Sequence, residues 1–326
     1  MRGRRRTARR AALVPRTRSS HDLAAGTVAN FGFQSGTRII NLPVSFSIPK
    51  FAQGSLRMIA NFAIGTLALA ALLSCAAAPA RAQTTPDLAA LIDDLVVANH
   101  ILYHQGVVDG FGHVSVRHPT VPGHFLMARA LAPGRVTRDD ILEFDADARP
   151  VKAGGPPVYA ERFIHSEIYR VRPDVMAVIH SHSPTVIPFS VTQTKLQPLA
   201  TTASFLSPSV PVFEMRQSAG MTNLLVDDTA RGKALAEVLG AHPVALMRGH
   251  GDVVVGPSVR RAVSRAIYTE INARLELQAV MLGGPITFIA PEEAALMEKG
   301  RDAAQEGHGA NRTWDMWKDE ALRAAR

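Results

Sequence analysis

The sequence predicts an α/β sandwich with a mainly antiparallel or mixed sheet, in one domain that spans residues 83–326. Some stretches repeat apolar residues at helical spacing. Between them lie short runs in which apolar and polar residues alternate, or which are wholly apolar, and both patterns are typical of strands. Helices and strands do not alternate regularly, and neither GxGxxG nor a P-loop occurs, which favours this class over a regular βαβ fold. The predicted helices are 87–105, 161–171, 229–239 and 258–282, and the predicted strands are 113–117, 125–127, 141–145, 175–179, 244–247 and 252–255.

Local signals place the first elements. Residues 87–105 repeat apolar side chains at helical spacing up to Ile101, and a glycine-punctuated turn, 106–112, separates them from the alternating strand 113–117. The helix that begins at Glu161 is predicted to end near Arg172, because the following proline disfavours helical geometry in the residue before it.

The later elements follow in the same way. The buried-type strand 175–179 runs into His180, and a Gly-His-Gly turn separates strands 244–247 and 252–255. A long helix, 258–282, comes next, and the tail from Pro291 is predicted to be helical or irregular. Trp314 and Trp317 lie three residues apart, on one face of such a helix, where they would cover either the core or a neighbouring subunit's site.

The positive charge belongs to the N-terminal leader. The chain of 326 residues has 36 Lys and Arg against 28 Asp and Glu, a formal charge of +8. Residues 1–57 hold eleven of these basic residues and one acid, which leaves residues 58–326 with a net charge of −2. A nucleic-acid partner would need a basic face on the folded body, so we expect none.

The leader indicates export. Residues 1–57 are interpreted as a basic, disordered or mis-annotated leader, and 58–82 as a signal peptide with an apolar stretch and an Ala-Arg-Ala cleavage pattern. We expect a periplasmic protein without a membrane span in its mature form; a lipid anchor through Cys75 and an uncleaved signal anchor are the alternatives. Cys75 is the only cysteine, so the mature domain has neither disulfides nor thiolate chemistry.

Three histidines form the candidate metal site. His180 and His182 are two residues apart at a strand end, so their side chains point to the same face. His250 lies between two glycines, where the backbone can turn tightly. Three imidazoles with one open position are typical of catalytic zinc, and Fe²⁺, Co²⁺ or Mn²⁺ also fit. An HxH pair alone is often a chance occurrence, so the metal-site interpretation depends on the surrounding sequence.

That surrounding sequence resembles the class II aldolase/adducin family. Its central block, 161–182, reads ERFIHSEIYRVRPDVMAVIHSH, its second ligand block, 246–256, reads LMRGHGDVVVG, and 112–117 reads GHVSVR, where the family has Gly-Asn-x-Ser-x-Arg. The resemblance covers about residues 87–285. It implies a three-layer α/β/α sandwich with a central, mainly antiparallel sheet, a homotetramer with the site at a subunit interface, zinc on the three histidines, and Glu161 as general acid/base.

Two departures from the family argue against a sugar-phosphate substrate. Residues 129–134 read RALAPG where the family has a phosphate-gripping Thr-Pro-Ser-Gly-like loop, and 159–160 read YA where it has a Ser-Ser pair. A small carboxylate suits this sequence better, with His113 as a catalytic residue and Ser115, Arg129 and Arg117 as substrate-binding residues. Arg117 and Arg129 could instead be surface or ion-paired residues.

The combined motifs are similar to a branch of hydroxy-acid decarboxylases, of the dihydroxyphthalate and carboxy-hydroxymuconic semialdehyde type. This implies a metal-dependent carbon–carbon lyase that decarboxylates a hydroxylated aromatic or muconic-type acid, with Glu161 or His113 delivering the proton. The alternatives are an aldolase for a non-phosphorylated hydroxy-keto acid, a non-haem iron oxygenase, and a non-enzymatic adducin-like domain. His165 is expected to be a packed histidine or one that supports a metal ligand rather than a ligand itself, and Glu167 a solvated helix residue.

Overall fold

A seven-stranded sheet forms the middle of the fold. The computed structural model describes residues 87–305 and 311–324, with side chains for 87–301 and 311–324. The strands are β1 (His113–Arg117), β2 (Phe125–Ala128), β3 (Ile141–Phe144), β4 (Ala177–Ser181), β5 (Val212–Phe213), β6 (Val244–Met247) and β7 (Gly251–Gly256). Their spatial order is β3-β2-β1-β4-β7-β6-β5, and every pair is antiparallel except β5 with β6. The predicted mainly antiparallel sheet is confirmed.

Helices cover both faces of this sheet. They are α1 (Leu88–His104), α2 (Phe163–Val171), α3 (Ile187–Val191), α4 (Met215–Ala219), α5 (Thr229–Leu239), α6 (Val259–Leu282), α7 (Pro291–Gln305) and α8 (Arg312–Ala324). Neighbouring strand residues enter different cores: Ile179 packs with α1 and α6, whereas Val178 packs with α2 and α5. Because successive side chains point to opposite faces, a strand that is apolar throughout requires cover on both sides. The three-layer α/β/α arrangement follows.

The sequence located most elements but missed the shortest ones. The predicted strand 175–179 lies two residues further along as β4, so His180 sits inside the strand rather than after it. The structure adds β5, of two residues, and α3 and α4, of five residues each, which are too short to show a periodic pattern. The leader 1–57, the signal peptide 58–82 and Cys75 lie outside the described residues, and export stays a prediction. Within 87–305 and 311–324, no helix is long and apolar enough to cross a membrane.

Glu167 is a correction to the sequence analysis. It was expected to be solvated, but it is 3% exposed and pairs with Arg170, with 3.3 Å between Glu167 Oε2 and Arg170 Nε. The reason lies in α5. A Cβ on Gly232 would come 2.6 Å from the Phe163 carbonyl oxygen and 2.9 Å from Glu167 Cγ. The missing side chain therefore lets α5 lie directly on α2, where it covers the carboxylate.

The C-terminal helix packs into the core beside α1 and α6. Trp314 and Trp317 are both buried and belong to the same apolar cluster as α1. The Tyr268 ring of α6 lies 5.8 Å from the ring of Trp317, and the Arg260 guanidinium lies 5.3 Å above the ring of Trp314. Of the two roles considered for these tryptophans, covering the core is the one seen in this chain.

We therefore predict that Trp317→Ala lowers the free energy of unfolding by about 3–5 kcal/mol, the usual loss for a buried tryptophan. Denaturant unfolding followed by circular dichroism measures this. Met316→Ala is the matched control, because Met316 is half-exposed on the same helix. Equal losses in the two variants would show that α8 does not depend on its tryptophan face.

Candidate active site

Four potential metal ligands meet at one end of the central strands. His180 lies on β4 and His182 directly follows that strand, while His250 lies in the turn between β6 and β7. The turn reaches β4 because Gly251 has no side chain; a Cβ there would stand 1.9 Å from the Ser181 carbonyl oxygen. Glu161 lies in a 3-10 turn directly before α2, with φ −88° and ψ 20°. This bridge region of backbone angles is common at active sites.

The donor atoms have the spacing of a metal site. The Nε2 atoms of His180 and His182 are 3.2 Å apart, and those of His250 and His182 are 3.0 Å apart. Glu161 Oε2 lies 3.5 Å from His180 Nε2 and 3.4 Å from His250 Nε2. A tetrahedral zinc 2.0–2.1 Å from its ligands would set neighbouring donors about 3.3 Å apart. The three imidazoles therefore fit a divalent metal, with the Glu161 carboxylate close beside it.

Backbone groups orient these ligands. His180 Nδ1 donates to the Asp252 carbonyl oxygen at 2.9 Å, and His250 Nδ1 donates to the Leu224 carbonyl oxygen at 3.0 Å. Each bond fixes the tautomer that leaves Nε2 with its lone pair for a metal. The Val226 N–H donates to Glu161 Oε1 at 2.9 Å, so Oε2 is the oxygen that faces the histidines.

Leu224 holds an unusual conformation to make its contact. Its φ of 65° lies in the left-handed region, which is costly for a branched residue and is typically kept where the surroundings enforce it. The segment 224–226 thereby touches two of the four ligands, with one carbonyl and one N–H. This role could not be predicted from the residue types, because it is carried by backbone atoms.

Charges within the cluster are mutually supportive. Burial alone would raise the pKa of Glu161, but the charges and hydrogen bonds of His180 and His250 outweigh it and lower that pKa, so the carboxylate stays ionised. Burial also opposes protonation of His180, yet the charge of Glu161 raises the pKa of His180. Burial and the neighbouring His180 and His250 lower the pKa of His182 to about 4. An ionised carboxylate beside imidazoles that can be neutral is a donor set suited to a divalent cation.

A cavity of about 630 Å³ opens above this cluster. His113, Glu161, His180 and His182 line it together with a largely apolar wall, made by Gly110, Phe111, Gly112, Ala130, Leu131, Ala132, Val158, Tyr159, Ala160 and Leu225. Among the described residues this lining has no Lys or Arg. Such a cavity is the size of a small-molecule site, and a largely apolar lining is usual for such sites.

His113 stands in the wall of the cavity. It faces His180 across the β1–β4 pairing, and their rings are 5.1 Å apart. The Tyr159 ring packs on it at 4.5 Å. Burial and the neighbouring His165 lower the pKa of His113 well below its ordinary value. His113 is therefore neutral near pH 7 and can either donate or accept one hydrogen bond to a substrate.

The three predicted substrate-binding residues lie outside the cavity lining. Ser115 is fully buried and its hydroxyl contacts His165 and Tyr169. Arg117 donates to the backbone carbonyls of Val175, Tyr169 and Arg172. Both side chains thus support the interior of this chain.

Arg129 is occupied in a similar way. Its Nε lies 2.6 Å from Asp140 Oδ1, and the other Asp140 oxygen accepts from the backbone N–H and hydroxyl of Thr137. The ion-paired interpretation describes Arg129 in this structure, whereas Arg117 is held by backbone carbonyls. The partners of Arg117 are up to 58 residues away in the chain, so the sequence alone does not reveal them. Substrate binding by the two arginines stays a prediction.

Several site residues were missed by the sequence analysis. Phe111 and Tyr159 line the cavity, and Tyr169 lies behind His113 in a buried row of polar groups. His165, which links His113 to that row, is the packed histidine that the sequence predicted. Phe111 stands between two glycines in the turn before β1, a signal that could have marked it as a cavity residue. Tyr159 stands where the family has a Ser-Ser pair, and this departure could also have marked it as a cavity residue.

Metal binding provides the first test. We predict that the wild-type protein, stripped and then titrated with Zn²⁺ or Co²⁺, binds about one ion per chain, and that His180→Ala lowers the affinity at least about 100-fold. Isothermal titration calorimetry measures both. His104→Ala is the control, because His104 is exposed at the end of α1. Unchanged affinity in His180→Ala would place the metal elsewhere.

The pH dependence of this binding has a definite sign. Burial opposes the charged form of His180, but the charge of Glu161 outweighs it and raises its pKa, so at acidic pH a proton competes with a metal for this ring. We predict that the affinity for Zn²⁺ falls as the pH is lowered from about 8 to about 5, where imidazoles change charge. Calorimetry at several pH values, with buffers of different ionisation enthalpy, counts the released protons. An affinity independent of pH would contradict this ligand set.

Comparisons with known proteins agree with this architecture. Residues 93–277 match the family described as "Class II Aldolase and Adducin N-terminal domain". Decarboxylase tropJ of Talaromyces stipitatus is 41% identical over 243 residues, which cover 68% of this chain and 90% of that protein. The 3,4-dihydroxyphthalate decarboxylase of Arthrobacter keyseri is 28% identical over 240 residues, covering 70% and 92%.

A solved structure shows the same fold. The aldolase II superfamily protein from Pseudomonas syringae superposes with a TM-score of 0.61 at 25% identity, over 75% of this chain and 97% of that one. The decarboxylases that are similar to this chain favour a lyase activity. With the metal-type cluster, the antiparallel sheet and these matches together, the chain belongs to the class II aldolase/adducin family.

Proposed function

We propose that the protein is a metal-dependent carbon–carbon lyase that decarboxylates a hydroxylated aromatic or muconic-type carboxylic acid. The observation that carries this proposal is the position of the His180–His182–His250–Glu161 cluster at the base of a largely apolar cavity. The similarity to tropJ and to the dihydroxyphthalate decarboxylases supports the reaction type. The homotetramer expected from the family resemblance stays a prediction.

The metal has one defined task. A divalent ion held by the three histidines, with zinc as the first choice and Fe²⁺, Co²⁺ or Mn²⁺ as alternatives, would polarise a substrate oxygen and so stabilise the negative charge left when the carbon–carbon bond breaks. The residues of the chain must supply the rest: proton transfer, orientation and exclusion of water.

Glu161 is placed to accept a proton. Its Oε1 is held by the Val226 N–H, so Oε2 is the atom that can take the proton of a substrate hydroxyl beside the histidines. The lowered pKa of Glu161 keeps it ionised before substrate binds. Transfer of the hydroxyl proton to Oε2 leaves the electron density of the oxygen available to the ring.

Bond cleavage then needs an apolar environment. When the carboxylate leaves as CO₂, the electron pair of the broken bond stays on the ring carbon, and this carbon takes up a proton. Apolar walls such as Leu131, Val158 and Leu225 replace water around the departing carboxylate, which favours its neutral product. His113, 4% exposed in the same wall, is the residue we assign to deliver its ring N–H proton to carbon. The proton that Glu161 took from the substrate hydroxyl then restores neutral His113, and the hydroxyl of the released product takes a proton from water.

Glu161→Gln tests this assignment. The amide keeps an oxygen for the Val226 N–H but cannot accept the hydroxyl proton, so we expect one bound metal per chain and a kcat at least about 100-fold lower. CO₂ release from a panel of ortho-hydroxy aromatic and muconic acids is the measurement. Glu237→Gln is the control, because Glu237 is exposed on α5. Full turnover in Glu161→Gln would refute the role of Glu161.

The same panel separates the alternatives. Release of an aldehyde without CO₂ would indicate an aldolase for a non-phosphorylated hydroxy-keto acid. Oxygen consumption that requires Fe²⁺ would indicate an oxygenase. Failure to bind any metal would remove the basis of all three enzymatic readings and favour a non-enzymatic domain.

A further inference from the structure

A row of four polar side chains runs from the cavity wall into the core. His113 Nδ1 lies 2.6 Å from His165 Nε2, His165 Nδ1 lies 2.6 Å from Ser115 Oγ, and Ser115 Oγ lies 2.8 Å from the hydroxyl of Tyr169. All four residues are at least 95% buried. We call His113, His165, Ser115 and Tyr169 the buried chain. Buried polar groups in such a row require each proton to have a defined acceptor.

The number of protons limits the chain to two arrangements. Burial lowers the pKa of His165 to about 3, so its ring is neutral and has one N–H and one lone pair. It must therefore donate to one neighbour and accept from the other. Either protons run from Tyr169 towards His113, or they run from His113 towards Tyr169.

The hydroxyl of Tyr169 decides between them. It can donate to Ser115 Oγ at 2.8 Å or to the Met176 carbonyl oxygen at 3.4 Å. The first distance is the usual one for an O–H···O bond, and the second is beyond the usual range. With Tyr169 donating to Ser115, the single proton of Ser115 goes to His165 Nδ1. His165 then donates from Nε2 to His113 Nδ1.

We propose that Tyr169, Ser115 and His165 are positioning residues that hold His113 in the tautomer with its proton on Nε2. Because Nδ1 accepts the bond from His165, Nε2 is the ring nitrogen left for the cavity, and it is a donor. The reverse arrangement would place a lone pair there instead. Arg117 supports the chain from behind, with its guanidinium 4.7 Å over the Tyr169 ring and a hydrogen bond to the Tyr169 carbonyl oxygen.

This inference deepens the proposed function and rests on it in one respect, the use of the proton in catalysis. It assigns the two proton tasks to different residues: Glu161 accepts from the substrate hydroxyl, and His113 donates to the ring carbon. It also explains why Ser115 is buried although the sequence placed it with substrate. Its hydroxyl accepts a hydrogen bond from Tyr169 and donates one to His165.

Nuclear magnetic resonance tests the tautomer without activity. In full-length protein labelled with ¹⁵N-histidine and loaded with Zn²⁺, long-range ¹H–¹⁵N spectra show which ring nitrogen carries the proton. The signals of His113 are assigned by their loss in His113→Asn. We expect the proton on Nε2 in the wild type, and a mixture of both tautomers in Tyr169→Phe. A proton on Nδ1 in the wild type would overturn the proposal, and so would an unchanged Nε2 tautomer in Tyr169→Phe.

Kinetics test the catalytic consequence. We expect Tyr169→Phe to lower kcat about 10-fold, in the range found when outer hydrogen-bond partners are removed, with KM changed less than about twofold. Tyr268→Phe is the matched control, because Tyr268 packs against Trp317. Equal kcat values in the two variants would overturn the positioning role. Full turnover in His113→Asn would instead refute proton delivery by His113 in the proposed function, while the tautomer in the spectra still decides whether the buried chain is directed as we infer.

Discussion

The arrangement of this site depends on the close approach of two backbones at Gly251. The turn between β6 and β7 passes so near to the end of β4 that a single methyl group would overlap the Ser181 carbonyl oxygen. Only this approach brings His250 within 3.0 Å of His182 across 68 residues of chain. The glycine is thus required by distance rather than by flexibility. The carbonyl of the next residue, Asp252, then orients His180, so one turn positions two of the three imidazoles.

How much of this was predictable follows from where the information lies. The three histidines and Glu161 were predicted because they are side chains in compact sequence blocks, and the structure brings all four together. The strands β1 and β6 and the helix α5 also appear with the predicted boundaries, since their apolar patterns are local. Such features are fixed by a few neighbouring residues and need no knowledge of distant contacts.

The surroundings of three charged residues differ from what the sequence alone suggested. Arg117 and Arg129 looked like carboxylate binders, but backbone carbonyls and Asp140 already use their guanidinium groups. Glu167 looked solvated, yet the absent side chain of Gly232 lets another helix cover it. In each case the sequence correctly indicated a charged group that needs a partner. It could not indicate which partner is near, because that is decided by packing between elements.

The distribution of charge over the site indicates which kind of substrate it can bind. Ionised Glu161 lies among imidazoles on the cation side of the cavity, and the remaining wall is apolar or formed by the neutral His113. A substrate with one oxygen-rich edge and one apolar ring would match both halves. A phosphorylated sugar would not, because the described lining has neither cations nor the hydroxyl pair for a phosphate. The apolar half also lowers the local dielectric, which strengthens each hydrogen bond aimed into it. A proton held on His113 Nε2 by the buried chain therefore faces the one region where its direction matters most.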